Sequence, residues 1–235
     1  MSSKGTSSGL DFSTIIASSV HDMKNSIQLL LGTLDEVIDE LPVDEKSHTK
    51  VLRAEAEGRR INDQLIQLLT LYKMSNTQHC LQIDEHCVDE FLEEINSENH
   101  PLLSLRGIEL TVRCEEGLVW FFDRELLKGV VNNLITNAQQ HTRNRIALSA
   151  VVHEKKLRLS VSDNGPGFPH SMLKRGDAAD EVLLGDGNTR SGGTGLGLYF
   201  STTIAQLHKN RNVRGYLENS NEGVDGGACC TIVLP

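Results

Sequence analysis

The chain has 235 residues, with 23 basic and 32 acidic side chains and a net charge of −9, room for one large domain or two small ones and a poor match to nucleic acid. No uninterrupted apolar run reaches the roughly 20 residues that span a bilayer, so no membrane contact is expected within this chain. Five cysteines form an odd set without framework spacing, which favours reduced thiols and a cytoplasmic setting.

The first predicted helix runs from about Asp11 to Leu41 and stops at Pro42. Its apolar positions Ile16, Val20, Met23, Ile27, Leu30, Leu34, Val37 and Leu41 alternate in steps of three and four, the spacing of a seam packed on other helices. His21 lies one residue past the seam, rotated about 100° from it, in a polar stripe with Ser18, Asn25, Gln28 and Asp35. A solvated stripe is the plain reading, and Asp22 next to the histidine and Asn25 one turn on count against it. Helix two runs from about Glu45 to Lys73, with a seam of Val51, Ala54, Gly58, Ile61, Leu65, Leu68 and Tyr72. Two such helices joined by a short turn form a hairpin that cannot cover its own seam. A homodimer closing a four-helix bundle would cover it, and docking on the downstream domain is the alternative.

Ser75 to Gln78 marks the boundary between a helical segment, 11–74, and a second domain, 79–235. Beyond it the sequence predicts a short strand over Leu81–Ile83, a helix over Val88–Ile95, and strands over Ile108–Arg113 and Leu118–Phe122. A helix follows over Asp123–His141, then a hairpin of Arg145–His153 and Lys156–Ser162 around Glu154-Lys155. The Gly-, Asp-, Asn- and Ser-rich stretch from Gly165 to Gly193 is too long for an ordinary connection and reads as a functional lid or a disordered segment. A helix from about Gly195 to Leu207 and strands over Arg214–Asn219 and Ala228–Leu234 complete the chain. The fold class is α+β, one sheet with helices on one face.

Three stretches of the second domain carry chemistry. Asn133, Asn137 and His141 recur at four-residue steps on one face of a helix whose apolar set, Leu127, Val130, Leu134 and Ala138, faces elsewhere. Carboxamide oxygens are hard neutral donors suited to Mg²⁺, which shares its ligands with phosphates. Asp163-Asn164-Gly165-Pro166-Gly167 follows a strand directly, and a carboxylate there can accept hydrogen bonds from an exocyclic amine. Gly192-Gly193-Thr194-Gly195-Leu196-Gly197-Leu198 opens a helix whose bare N–H groups suit phosphate.

The order of these elements resembles the ATP-binding domain of histidine kinases and their relatives, over about Leu81 to Pro235, and His-Asp-Met-Lys-Asn-Ser-Ile at His21 resembles the phospho-acceptor box of sensor histidine kinases. The resemblance implies a dimeric helical bundle followed by an α/β sandwich that binds ATP with Mg²⁺. By position, Asn137 matches the Mg²⁺-binding asparagine and Asn133 its support. Asp163 matches the adenine-binding aspartate. Gly165, Gly167, Gly193, Gly195 and Gly197, with Thr194 and Leu196 between them, match the nucleotide-binding turns, and Thr231 a position beside the adenine. Gln140 stands where many members carry a lysine near the phosphates, which leaves His141 or Arg190 as substitutes. Ser26 replaces the usual proline below the acceptor histidine.

The implied activity is histidine autophosphorylation at His21, with Asp22 orienting the ring, then transfer to an aspartate of a response-regulator receiver domain. Asn25 would orient water for dephosphorylation of that partner. Hydrolytic relatives of the same fold carry a glutamate near Asn133, so asparagine argues against water as nucleophile. The alternative is a phosphotransfer or scaffold protein with a degenerate ATP-binding domain. His79-Cys80 and His86-Cys87 match no common zinc spacing and read as packing residues.

Overall fold

The structure is a computed structural model that describes residue 23 and residues 25–34, 45–76, 81–173 and 196–235. It divides into two compact units, Met1–His79 and Cys80–Pro235. His21, Asp22, Arg190, Gly193, Thr194, Gly195 and the turn at Pro42 lie outside the described residues.

In the first unit residues 25–34 (α1) and Glu45–Asn76 (α2) are helical. Leu31 is buried, and its side chain fills the space over Gly58, 2.9 Å from where a Cβ would stand. Leu31 was not on the predicted seam. The seam residues Met23, Leu30, Ile61 and Leu68 are exposed within a single chain.

The second unit is built on a five-stranded sheet in the order β2-β4-β5-β9-β8. The strands are β2 (Glu109–Arg113), β4 (Arg145–His153), β5 (Lys156–Asp163), β8 (Tyr216–Ser220) and β9 (Cys229–Leu234). β2 pairs parallel with β4, and every other neighbour is antiparallel. Strict alternation along β5 puts Leu157, Leu159 and Val161 on one buried face. The register extends that face through Ile146 and Leu148 of β4 and Cys230 and Ile232 of β9. Three helices supply the opposing apolar surface: α3 (Val88–Leu105), α4 (Arg124–His141) and α5 (Leu196–Leu207). The β4–β5 hairpin turns at Glu154 and Lys155, φ 52° and 60°, the paired positive values a tight two-residue turn requires.

Several expectations need correction. Leu81–Ile83 is not a strand. Pairing instead falls on β1 (Asp84–Cys87), which meets β3 (Val119–Phe122) in its own two-stranded sheet. In this register His86 pairs with Trp120 and its ring lies 4.9 Å from that of Phe122. The helix expected to end at Ile95 continues to Leu105 through Pro101. Along it Ser97 Oγ donates to the Glu93 carbonyl and Asn99 Nδ2 to the Ile95 carbonyl, each at 2.8 Å. A third small sheet, β6 (Lys209–Asn210) with β7 (Val213–Arg214), follows α5, and the strand expected over Arg214–Asn219 is interrupted at Gly215 between β7 and β8.

Candidate functional site

Helix α4 begins at a built cap. Asp123 Oδ1 accepts from the N–H of Leu126 at 3.1 Å, and its Oδ2 accepts from the N–H of Gln82 at 3.0 Å. From there Leu127, Val130, Val131, Leu134, Ile135 and Ala138 all turn inward. Asn133, Asn137 and His141 are thereby left on the remaining face, the asparagines half-buried and the histidine exposed.

Asn133 is engaged with α5. Its Nδ2 donates to Ser201 Oγ at 3.0 Å. Its Oδ1 lies where a Cβ on Gly197 would stand, so Gly197 is needed for the close approach of α5 to α4.

Asp163 is the last residue of β5 on the core-facing side and is buried. Its Oδ1 accepts from the N–H of Gly165 at 2.6 Å, and its own N–H donates to the Ala228 carbonyl at 2.9 Å. Burial pushes the carboxyl pKa up, against the lowering influence of the Gly165 and Ala228 hydrogen bonds and nearby His141. Gly165 is pressed between the His141 carbonyl and Asp163 Oδ1, where any side chain would collide. His141 thus stands beside the carboxylate through its backbone.

Thr231 requires correction. In β9 it pairs with Ser160 and shares that residue's side of the sheet, with the two hydroxyls 2.7 Å apart. Alternation sets Ser160 on the face opposite Asp163, so Thr231 does not look toward the carboxylate. The neighbours of Asp163 from this part of the chain are Ala228 and Gly227, and a Cβ on Gly227 would strike the Asp163 carbonyl.

Two asparagines emerge that the sequence did not single out. Asn164 is buried, and its Oδ1 accepts from Thr142 Oγ1 and from the N–H groups of Arg143, Asn144 and Arg145 at 2.9–3.2 Å. It ties the α4–β4 connection to the turn after Asp163. Asn221 brackets Phe168, accepting from its N–H at 2.6 Å and donating to its carbonyl at 3.0 Å. Gly167, at φ 81°, stands with its missing Cβ 2.8 Å from Asn221 Oδ1, so this glycine answers to both backbone and neighbour. Asn164 had a local cue, its place after the strand-ending aspartate. Asn221 is 53 residues from its partner and had none.

Among the described residues no group of three His, Cys, Asp or Glu side chains could hold a metal, and no helix is long and apolar enough to cross a membrane. The donors on offer beside α5 are carboxamides. That set fits Mg²⁺, which keeps several waters and takes phosphate oxygens, better than a thiolate- or imidazole-seeking ion. Asn25 lies exposed on α1.

Residues 122–235 match the family described as histidine kinase-, DNA gyrase B-, and HSP90-like ATPases. The chain is 26% identical to the sensor histidine kinase RppB of Synechocystis sp. over 227 residues, covering 93% of this chain and 48% of that protein. It is 26% identical to the signal transduction histidine-protein kinase BaeS of Escherichia coli over 220 residues, 92% of this chain and 45% of that protein. The catalytic domain of histidine kinase ThkA superposes with a TM-score of 0.54 at 22% identity, over 66% of this chain and 98% of that one, a likeness of fold. The chain thus spans about half the length of these curated relatives. Sheet, helices and matches together define Cys80–Pro235 as an ATP-binding domain of the α/β sandwich type. Within that class, the relatives it is similar to are histidine kinases.

Proposed function

We propose that the chain is the core of a sensor histidine kinase that transfers the γ-phosphoryl group of ATP to a ring nitrogen of His21. The phosphoryl group then passes to an aspartate carboxylate on a receiver domain of a response regulator. The observation that carries the reading is the pairing of a buried, strand-ending Asp163, its Oδ1 held by the Gly165 N–H, with Asn133 locked onto the start of α5. One is suited to an exocyclic amine and the other to a phosphate-bound cation.

Each residue then has a task. Asp163 would accept the adenine amino group, while Gly165, pressed on the His141 carbonyl, leaves room for a flat base. Asn137, supported by Asn133, would hold Mg²⁺, which supplies charge neutralisation at the phosphates. Gly193, Thr194, Gly195, Leu196 and Gly197 would offer backbone N–H groups to phosphate oxygens. Asp22 would hold the second ring N–H of His21 and so fix the tautomer of the attacking nitrogen. Positioning and charge stabilisation dominate such transfers. Asn25 would orient the water that removes the phosphoryl group from the partner.

The helical segment 11–74 serves as the acceptor and dimerisation element, joining a second copy in a four-helix bundle. Exposed Leu30, Ile61 and Leu68, all on the predicted seam, support this, because a single chain leaves them in water. The purified chain incubated with Mg²⁺ and γ-labelled ATP should acquire label that is acid-labile and alkali-stable. Label stable to acid would refute histidine as the acceptor.

A further inference from the structure

The two-stranded sheet of β1 and β3 has an open edge. In an antiparallel pair, successive residues turn their backbone groups alternately toward and away from the partner strand. The Leu118 carbonyl accepts from the N–H of Val88 at 2.7 Å, so Trp120 and Phe122 also bond inward, to His86 and Asp84. Val119 and Phe121 then point their N–H and C=O groups outward. Asp123 continues the alternation, giving its outward N–H to His208 Nε2 at 3.0 Å, which puts the start of β6 on that side. There the His208 carbonyl accepts from the N–H of Gly215 at 2.7 Å, so the backbone groups of Lys209 face away from β7. Among the described residues no strand pairs with β3 or β6 along these outer edges.

A cavity of about 490 Å³ runs along this edge, lined by Val119, Trp120 and Phe121 of β3 and by His208, Lys209 and Asn210. Phe121 is 58% exposed and Val119 44%, and Ile83, which also lines the cavity, is exposed beside them. The indole Nε1 of Trp120 is buried without an acceptor. The charge is one-sided. Lys155 and Lys209 line the cavity and no acidic side chain does, in a chain whose net charge is −9. The hairpin of β6 and β7 adds Arg211 and Arg214.

We propose that this groove binds an extended segment of a partner protein in which carboxylates alternate with apolar side chains, added to β3 as a new edge strand. Val119 and Phe121 supply main-chain hydrogen bonds, the exposed apolar surface takes alternate side chains, and Lys155 and Lys209 attract the carboxylates. Pairing two copies of the chain edge to edge would bring the same lysines together, which disfavours a second copy as the occupant. Neither Asp163 nor Asn133 lines the groove.

Trp120 is the only tryptophan in the chain, so its fluorescence reports on the groove. The full chain is titrated with a short capped peptide of alternating glutamate and valine. The emission should shift and saturate. Hydrogen exchange at the Val119 and Phe121 amides should slow about tenfold or more, while the Trp120 amide, already paired with β1, stays within about twofold. A lysine–valine peptide of the same length should bind at least about tenfold more weakly, and a glutamate peptide without valine likewise. Lys155→Glu with Lys209→Glu should weaken the acidic peptide about tenfold and strengthen the basic one, an exchange that a misfolded variant could not produce. If that variant folds poorly, N-methylation of the acidic peptide, which removes its main-chain donors, should abolish the shift in the wild-type chain. No saturable shift, equal binding of any two of the three unmethylated peptides, or no slowing at Val119 and Phe121 would overturn the proposal. A shift that follows the concentration of the chain without peptide would assign the groove to a second copy and overturn it too.

Discussion

Asp163 Oδ1 lies 2.6 Å from the backbone nitrogen of Gly165, so a buried carboxylate is held by the turn that follows it. One oxygen is thereby committed, and Oδ2 is the atom assigned to the base. Asp163→Asn keeps the size but can turn an NH₂ group toward an incoming amino group. It should weaken ATP and ADP equally, by about tenfold or more, as expected when a polar pocket loses its matched partner. Calorimetric titration checks this, and a loss confined to ATP would place Asp163 at the phosphates instead.

His208 links the ends of two helices. Its Nε2 accepts from the N–H of Asp123 at 3.0 Å, and its Nδ1 faces the Ile204 carbonyl at 2.8 Å, so the ring is held neutral with the proton on Nδ1. Burial pushes its pKa below 6.5, opposed by the Ile204 carbonyl and the Asp123 carboxylate. The unfolded chain then binds the extra proton more readily, and stability falls as pH drops below about 6.5 toward the folded-state value. His208→Gln should have a lower melting temperature at pH 8 and a shallower loss between pH 6.5 and 5.5. Parallel melting curves for the two proteins would contradict this.

Gly197→Ala would drive a methyl group into the Asn133 carboxamide. Overpacking of this kind costs about 1–3 kcal/mol, and here the strain falls on the side chain assigned to support the metal-binding Asn137. The variant should show both a lower melting temperature and weaker Mg²⁺-dependent nucleotide binding. Gly107→Ala is a control for stability alone, since nothing stands within 4 Å of its absent Cβ although its φ is 67°.

Leu30 and Leu68 are 52% and 41% exposed in the single chain. Buried in a bundle of two copies, each leucine would contribute about 1.5–3 kcal/mol. Leu30→Glu with Leu68→Glu should therefore yield a monomer by light scattering, with ATP affinity of the second unit unchanged. A variant that stays dimeric would move the interface elsewhere.

What the sequence made legible follows from periodicity. Helix α4 and its two faces could be read because the apolar residues recur at a single unbroken helical spacing, leaving the asparagines in register on the other side. The β4–β5 hairpin was equally plain, with alternation on both arms and a charged two-residue turn. The errors arose where pairing decides. Leu81–Ile83 has strand composition, yet the hydrogen-bonded register begins at Asp84 because the partner strand is Val119–Phe122. Thr231 was assigned by its match to a family position beside the adenine, but its side of the sheet depends on whether it pairs with Ser160 or Val161, a one-residue difference that sequence cannot resolve. Asn221 and Ser201 act across 53 and 68 residues, and no local pattern announces them.

The central claim is settled most directly by locating the phosphoryl group after incubation with Mg²⁺ and ATP. The chain should be digested and mapped by mass spectrometry under alkaline conditions. The account predicts one phosphorylated peptide, the one containing His21, absent in His21→Gln while that variant still binds ATP. A phosphoryl group on a serine or threonine, or ATP turned over to free phosphate with no labelled peptide, would contradict it.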